Sequence, residues 1–382
     1  MNLASAQPAL DPSTRSRRQF LSNVAGAGVA SVLMPAVARA ADEMDPEVGK
    51  LVAATLGIDM HNHIDVPLAA ADLPGPEVDL ASEMKRSGLS AICMTFAVDY
   101  QPIRKPGDAY DRFVNGLTAT DALLTRNKMR RALNLKDLQT AHDEGQPIVV
   151  QSIEGGHFLE GKLERVEEAY RRGLRHFGLL HDHDAEPPLG DIYTVPAHLG
   201  GLTEFGGKVI KECERLGIVI DLAHANMETV TAALKIVTKP VLITHTGLDT
   251  QLGKNPRMAD MMKPRLIGKE QAKVVAEAGG VIGVWTHLAD SPEDYASNVR
   301  ALVDVIGVDH VGIGTDTKLT PPPGGGARRG GGTNQAWPDQ KAGFYHAVVA
   351  AMLKSGFTAE EIGKIGGGNF CRVFDAGTAG HS

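Results

Sequence analysis

The chain has 382 residues, of which 43% are apolar, an ordinary share for a soluble globular protein. Its 46 acidic side chains outnumber 39 basic ones, and the net charge of −7 argues against nucleic acid or an anionic membrane surface as a partner. Cys93, Cys213 and Cys371 are too scattered for a disulfide framework or a cysteine-rich zinc cluster and fit small core positions.

The first forty residues read as a targeting segment. Ser16-Arg17-Arg18-Gln19-Phe20-Leu21 resembles a twin-arginine export motif, a weakly apolar run follows from Val24 to Met34, and Ala38-Arg39-Ala40 supplies a cleavage site. The run is too short and too rich in Gly and Ala to span a bilayer, and no other stretch reaches that length. The expectation is a mature chain from Ala41, exported to the periplasm or beyond. Removing residues 1–40 takes away a net +3 and leaves −10. An amphipathic N-terminal helix is the alternative reading.

From residue 57 onward, short β-rich apolar runs alternate with helical stretches. The runs are Gly57–His63, Ser90–Val98, Pro147–Gly155, Arg175–His181, Gly217–His224, Pro240–His245, Gly280–Thr286 and His310–Asp316. Several are apolar on both faces, as parallel strands covered by helices must be. Lys162–Arg172, Glu204–Leu216, Met227–Val237, Gly268–Ala278 and Ser297–Val305 read as helices. Eight such units predict an α/β fold, a (β/α)8 TIM barrel forming one domain over 41–382. A doubly wound sheet is the runner-up, but no strand is followed by a G-x-G-x-x-G turn. Residues 99–146 read as a longer, mostly helical connection. The Gly/Pro-rich stretch 321–333 cannot bury a core and is expected to be a flexible loop on the catalytic face, either a lid or a plain insertion. Thr358-Ala359-Glu360-Glu361 is a capping box that starts a closing helix.

Barrel active sites lie at the C-terminal ends of the strands, so the run ends name the candidates. They are His61 and His63, Glu154, His181, His224, His245 and Asp316. His61 and His63 are two apart and share one side of their strand, so both imidazoles can grip one divalent metal. Ionisable groups gathered at a barrel mouth are costly unless used. His142, His176 and His310 fall at or before strand starts. His157, His183 and His287 lie just past strand ends, as neighbours of the site or as ordinary loop residues. His198, His346 and His381 carry no positional signal.

These residues resemble the membrane dipeptidases (renal dipeptidase type) of the amidohydrolase superfamily, from about residue 57 to 375. The resemblance rests on Ile153-Glu154-Gly155-Gly156-His157, the runs Arg175 to His181 and Gly217 to His224, Ile243-Thr244-His245-Thr246, the run Val308 to Asp316 and the run Gly366 to Phe374. It implies two zinc ions, one held by His61 and His63, the other by His224 and His245, with Glu154 bridging. It further implies a substrate-facing His181, a catalytic Asp316, and Arg257 on the carboxylate of a dipeptide substrate. The chain departs from the family where its strand-one motif is H-x-H instead of H-x-D, and where Thr317-Lys318-Leu319 replaces an acidic-glycine sequence. Two zinc ions about 3.5–4 Å apart share a hydroxide with a pKa near ~7. In this scheme that hydroxide attacks the amide carbonyl, polarised by one metal and His181, while Asp316 carries the proton to the leaving amine. Another amide, an ester or a lactone as substrate, and a metal-binding homologue without turnover, are the competing readings. The sequence leaves monomer or homodimer open.

Overall fold

Strands apolar on both faces need cover on both sides, and this chain supplies it by curling its sheet around a core and ringing it with helices. The computed structural model describes residues 45–320, 332–338 and 340–381. The expected export segment and most of the Gly/Pro-rich stretch lie outside the described residues. The strands are β1 (Ile58–His63), β2 (Ala91–Thr95), β3 (Ile148–Glu154), β4 (Leu174–Gly178), β5 (Val219–Asp221), β6 (Leu242–Thr246), β7 (Val281–Val284), β8 (Val311–Ile313) and β9 (Thr317–Lys318). Every residue of β2 to β8 is buried.

Pairing is parallel throughout, in the order β8-β7-β6-β5-β4-β3-β2-β1-β9. β9 continues the path of β8 after three residues, yet it pairs with β1, matching Asn62 to Thr317 and His63 to Lys318. The Asp316 N–H donates to the His61 carbonyl at 3.1 Å. The eighth strand thus bonds β7 with its lower half and β1 with its upper half, which closes the barrel.

The helices between strands follow from local sequence. In Glu204–Leu216, Val209, Ile210, Cys213 and Leu216 are buried. Thr203 accepts the Gly206 N–H at its start, and Gly217 at φ 80° ends it, a left-handed conformation that suits glycine. The connection over 99–146 carries helices Asp108–Arg126 and Leu135–Asp143. The capping box at Thr358 and Glu361 is formed.

At three strands the predicted site residue lies past the end of the strand. β4 stops at Gly178 and β5 at Asp221, so His181 and His224 stand in the following loops. β8 stops at Ile313, and Asp316 lies between it and β9. His224 at φ 66° and Asp316 at φ 54° are left-handed, which breaks an extended run outright. Backbone outliers of this kind persist only where the surroundings hold them, and they gather at functional sites.

Candidate metal centre

Below the mouth, two buried carboxylates tie the strands together. Asp59 on β1 accepts from the Thr315 N–H (2.8 Å), the Thr315 hydroxyl (2.7 Å), Asn62 Nδ2 (2.8 Å) and the His61 N–H (3.2 Å). Asp221 on β5 accepts from the N–H groups of Ala223 and Thr244 and from the Thr244 hydroxyl. Burial pushes both carboxyls up, to about 6, against those hydrogen bonds. Gly283 and Gly314 let β7 and β8 press against this layer, since a Cβ at either would fall 1.9 or 1.6 Å from the Thr244 carbonyl.

Above that layer, Glu154 ends β3 with its carboxylate at the centre of the mouth. Five imidazole Nε2 atoms surround it: His224 at 2.8 Å, His181 at 3.4 Å, His61 and His245 at 3.6 Å, and His63 at 3.8 Å. The alternation rule holds for β1, where His61 and His63 bring their Nε2 atoms within 3.2 Å. Asp316 Oδ1 lies 3.0 Å from His63 and 3.9 Å from His61. Three overlapping ligand triads result: His61, Glu154 and His245; His61, His63 and Asp316; Glu154, His181 and His224. The structure therefore brings together seven of the eight predicted site residues.

The outer nitrogens of these rings are already engaged. His63 Nδ1 meets the Tyr100 hydroxyl at 2.9 Å, and His181 Nδ1 meets Asp99 at 2.6 Å. His224 Nδ1 meets the Tyr193 hydroxyl at 2.7 Å and Asp182 at 3.2 Å. His245 Nδ1 meets the Thr244 hydroxyl at 3.0 Å. With Nδ1 held from behind, each ring turns Nε2 inward, as histidines that ligate a metal are held by a partner on the far nitrogen.

The central carboxylate tests whether a metal fits. Both Glu154 oxygens are buried, and neither has a hydrogen bond of acceptable geometry, although His224 Nε2 is close. A buried carboxylate left so is costly unless it binds a cation. Burial pushes the Glu154 carboxyl up, but the field of His181, His61 and His224 outweighs it and holds the group well below the ordinary carboxylate range. An anionic carboxylate ringed by imidazole nitrogens is a donor set for zinc or a similar divalent ion. The residues fit.

The eighth predicted residue is elsewhere. Arg257 is exposed near the start of helix Pro256–Met262, and it is not among the residues lining the cavity beside the centre. That cavity, of about 450 Å³, is lined by Tyr193, His224, His245 and Arg265, among others. Arg265 Nη2 lies 2.8 Å from Asp182 Oδ2. Arg257 sits in the first turn of that helix, whereas Arg265 ends the short turn Lys263–Arg265 that follows it. Sequence reasoning missed Asp99, Tyr100, Asp182, Tyr193 and Arg265, all in loops or short turns without periodicity. Asp182 and His183 adjoin His181, and that adjacency is the one signal the sequence carries for them. Among the histidines just past strand ends, His287 reaches Asp316 Oδ2 at 2.8 Å and His183 reaches Asp99 at 3.0 Å.

Residues 47–380 match the family model described as membrane dipeptidase (peptidase family M19). Among solved structures, the chain is similar to an amidohydrolase from Pseudomonas aeruginosa at 21% identity and a TM-score of 0.71, covering 86% of this chain and 98% of that one. A probable dipeptidase, PvdM, from the same organism matches at 17% identity and 0.69, covering 87% and 98%. A metallo peptidase from Rhodobacter sphaeroides, liganded with a phosphinate mimic of L-Ala-D-Ala, matches at 19% and 0.61, covering 84% and 99%. At these identities the likenesses speak for the fold.

Proposed function

The chain belongs to the membrane dipeptidase family, and from that premise we propose that it is a binuclear zinc enzyme hydrolysing the peptide bond of dipeptides. Membership makes it a metallo-dipeptidase; the two ions, their identity and the residue roles are our reading. The observation that carries it is the buried Glu154 carboxylate, free of hydrogen bonds and ringed by five imidazole nitrogens. His61 and His63 would hold one ion, His224 and His245 the other, with Glu154 shared. Such ions, when bound, supply a Lewis acid for the carbonyl and an activated water at neutral pH.

The protein's own groups do the rest. Asp316 is held well below the ordinary range because histidines, His245 first, outweigh its burial. It is therefore anionic and takes the proton of the attacking water, then returns it to the departing amine. His287, whose Nε2 lies 2.8 Å from Oδ2, fixes its direction. His181 faces the substrate. Arg265, in the cavity wall, takes the role expected of Arg257 and receives the dipeptide carboxylate, for which its forked donors are suited.

We place the mature enzyme in the periplasm or outside the cell, on the strength of the twin-arginine motif and the A-x-A site. Among the described residues, no helix is long and apolar enough to cross a membrane. The test is turnover of a dipeptide panel, with an ester and a lactone beside it, before and after chelation, together with elemental analysis. Metal-dependent cleavage of dipeptides is expected. Full activity after chelation, or turnover of the lactone alone, overturns the proposal.

A further inference from the structure

Asp99 stands in the loop after β2, eighty-two positions before His181 in the chain, and its side chain is only 3% exposed. Its two oxygens are divided between two rings. Oδ1 lies 2.6 Å from His181 Nδ1, and Oδ2 lies 3.0 Å from His183 Nδ1. A third ring, His157, approaches Oδ2 at 3.7 Å, but its Nε2 bonds the His183 carbonyl at 3.0 Å. His183 itself is 71% exposed, so it joins the buried carboxylate to solvent. Residues 181–183 thereby straddle Asp99 from one loop, while Asp182 between them turns the other way, to His224 and Arg265.

We propose that Asp99 is the positioning residue of His181: it fixes the ring's tautomer and aim, so that Nε2 is presented to the reacting centre. The proposal rests on the substrate-facing role given to His181 above. Burial pushes the Asp99 carboxyl up, but its bonds and charge interactions with histidines, His181 first, bring it below the ordinary value. An ionised carboxylate only accepts, so the hydrogen on His181 must sit on Nδ1. The opposite nitrogen, Nε2, is then left to accept a hydrogen bond from the substrate, in place of the carbonyl polarisation expected from the sequence, and it lies 3.4 Å from Glu154 Oε2. Without Asp99 the ring can turn about its side-chain bonds or carry its hydrogen on Nε2. Tyr100 packs edge-on against it at 5.5 Å between centroids but offers no acceptor to Nδ1 in its place.

The test uses the mature, metal-loaded protein in four forms: wild type, Asp99→Ala, His181→Ala and the double variant. Asp99→Ala is expected to lower kcat by about 10–100-fold, the usual cost of losing such a partner, with KM and metal content nearly unchanged. Asp99→Asn, which keeps one acceptor oxygen, should recover part of the loss. His183→Ala, at the exposed end, should change kcat by about twofold or less. In the double variant the Asp99 effect should vanish, because its route through His181 is gone. Nitrogen-15 spectra of the histidine rings give an independent readout: wild type shows His181 with its hydrogen on Nδ1, and Asp99→Ala shows a mixture. Independent, multiplying losses in the cycle overturn the proposal, as does an unchanged tautomer or a loss explained wholly by missing metal. If His181→Ala alone keeps full activity, the role of His181 fails, and the spectra still decide what Asp99 does to the ring.

Discussion

Asp59, Asp221 and Glu154 are buried carboxylates on strands of one barrel, and they are treated in opposite ways. Asp59 and Asp221, in the layer under the mouth, are wrapped in hydrogen bonds from backbone and threonine hydroxyls. Glu154, at the mouth, has none of good geometry and faces imidazole nitrogens instead. A hydrogen-bonded carboxylate is finished by the protein itself and serves as a strut. One surrounded only by lone-pair donors needs a cation to complete it. The contrast separates scaffold from chemistry within a single barrel, and each part of it can be broken.

The largest effect belongs to Glu154. Its replacement by alanine should strip more metal than any single histidine substitution, since both ions share it, and activity should fall with the metal. Elemental analysis of Glu154→Ala beside the His61, His224 and His245 alanine variants checks this. Asp316→Asn should keep both metals and lose about 10²–10⁴-fold in kcat, the usual size for a general acid/base. Unchanged turnover there would move the proton transfer to another group.

Arg265→Ala should raise KM for a dipeptide by about 10–100-fold, as expected for losing a hydrogen bond to a charged group. The C-terminally amidated dipeptide should be much less affected, and Arg257→Ala should stay within about twofold on both. Equal responses of the two arginines would remove the distinction drawn from the cavity. His63→Asp should retain metal, because carboxylate oxygen is an acceptable zinc ligand. It also makes the site more negative, so the acid limb of the pH–rate profile should move to higher pH. An unmoved profile, in that variant and in His63→Ala alike, would take His63 out of the ligand set.

The smallest effect concerns the layer below. Burial lowers His176, bonded to the Ser152 hydroxyl at 2.6 Å, to about 3 from an unfolded value near 6.5. Between those values the unfolded chain binds the extra proton, so this stabilising contribution is present above pH 6.5 and is lost as pH falls towards 3. Asp221 works against it. Raised to about 6, it binds its proton first in the folded state, which favours folding as pH drops from 6 to 3.8. The loss of stability on acidification should therefore be shallower in His176→Gln than in wild type. Denaturant midpoints from about pH 7 to 4 measure it.

Much of the site is legible in the chain itself. Strand side chains alternate with a period of two, and barrel chemistry gathers at strand C-terminal ends, so His61, His63, Glu154 and His245 follow from periodicity alone. His181, His224 and Asp316 obey the same rule although each lies beyond its strand, because the apolar run ends near the mouth whether or not the ladder does. What the sequence could not decide was the ring of partners behind the histidines and the choice between two arginines. Asp99 and His181 are 82 residues apart, and Asp182 and Arg265 are 83 apart, joined only by loops whose path no local pattern encodes. A period fixes which way a strand residue points; a loop residue's direction is set by what the closed barrel brings against it.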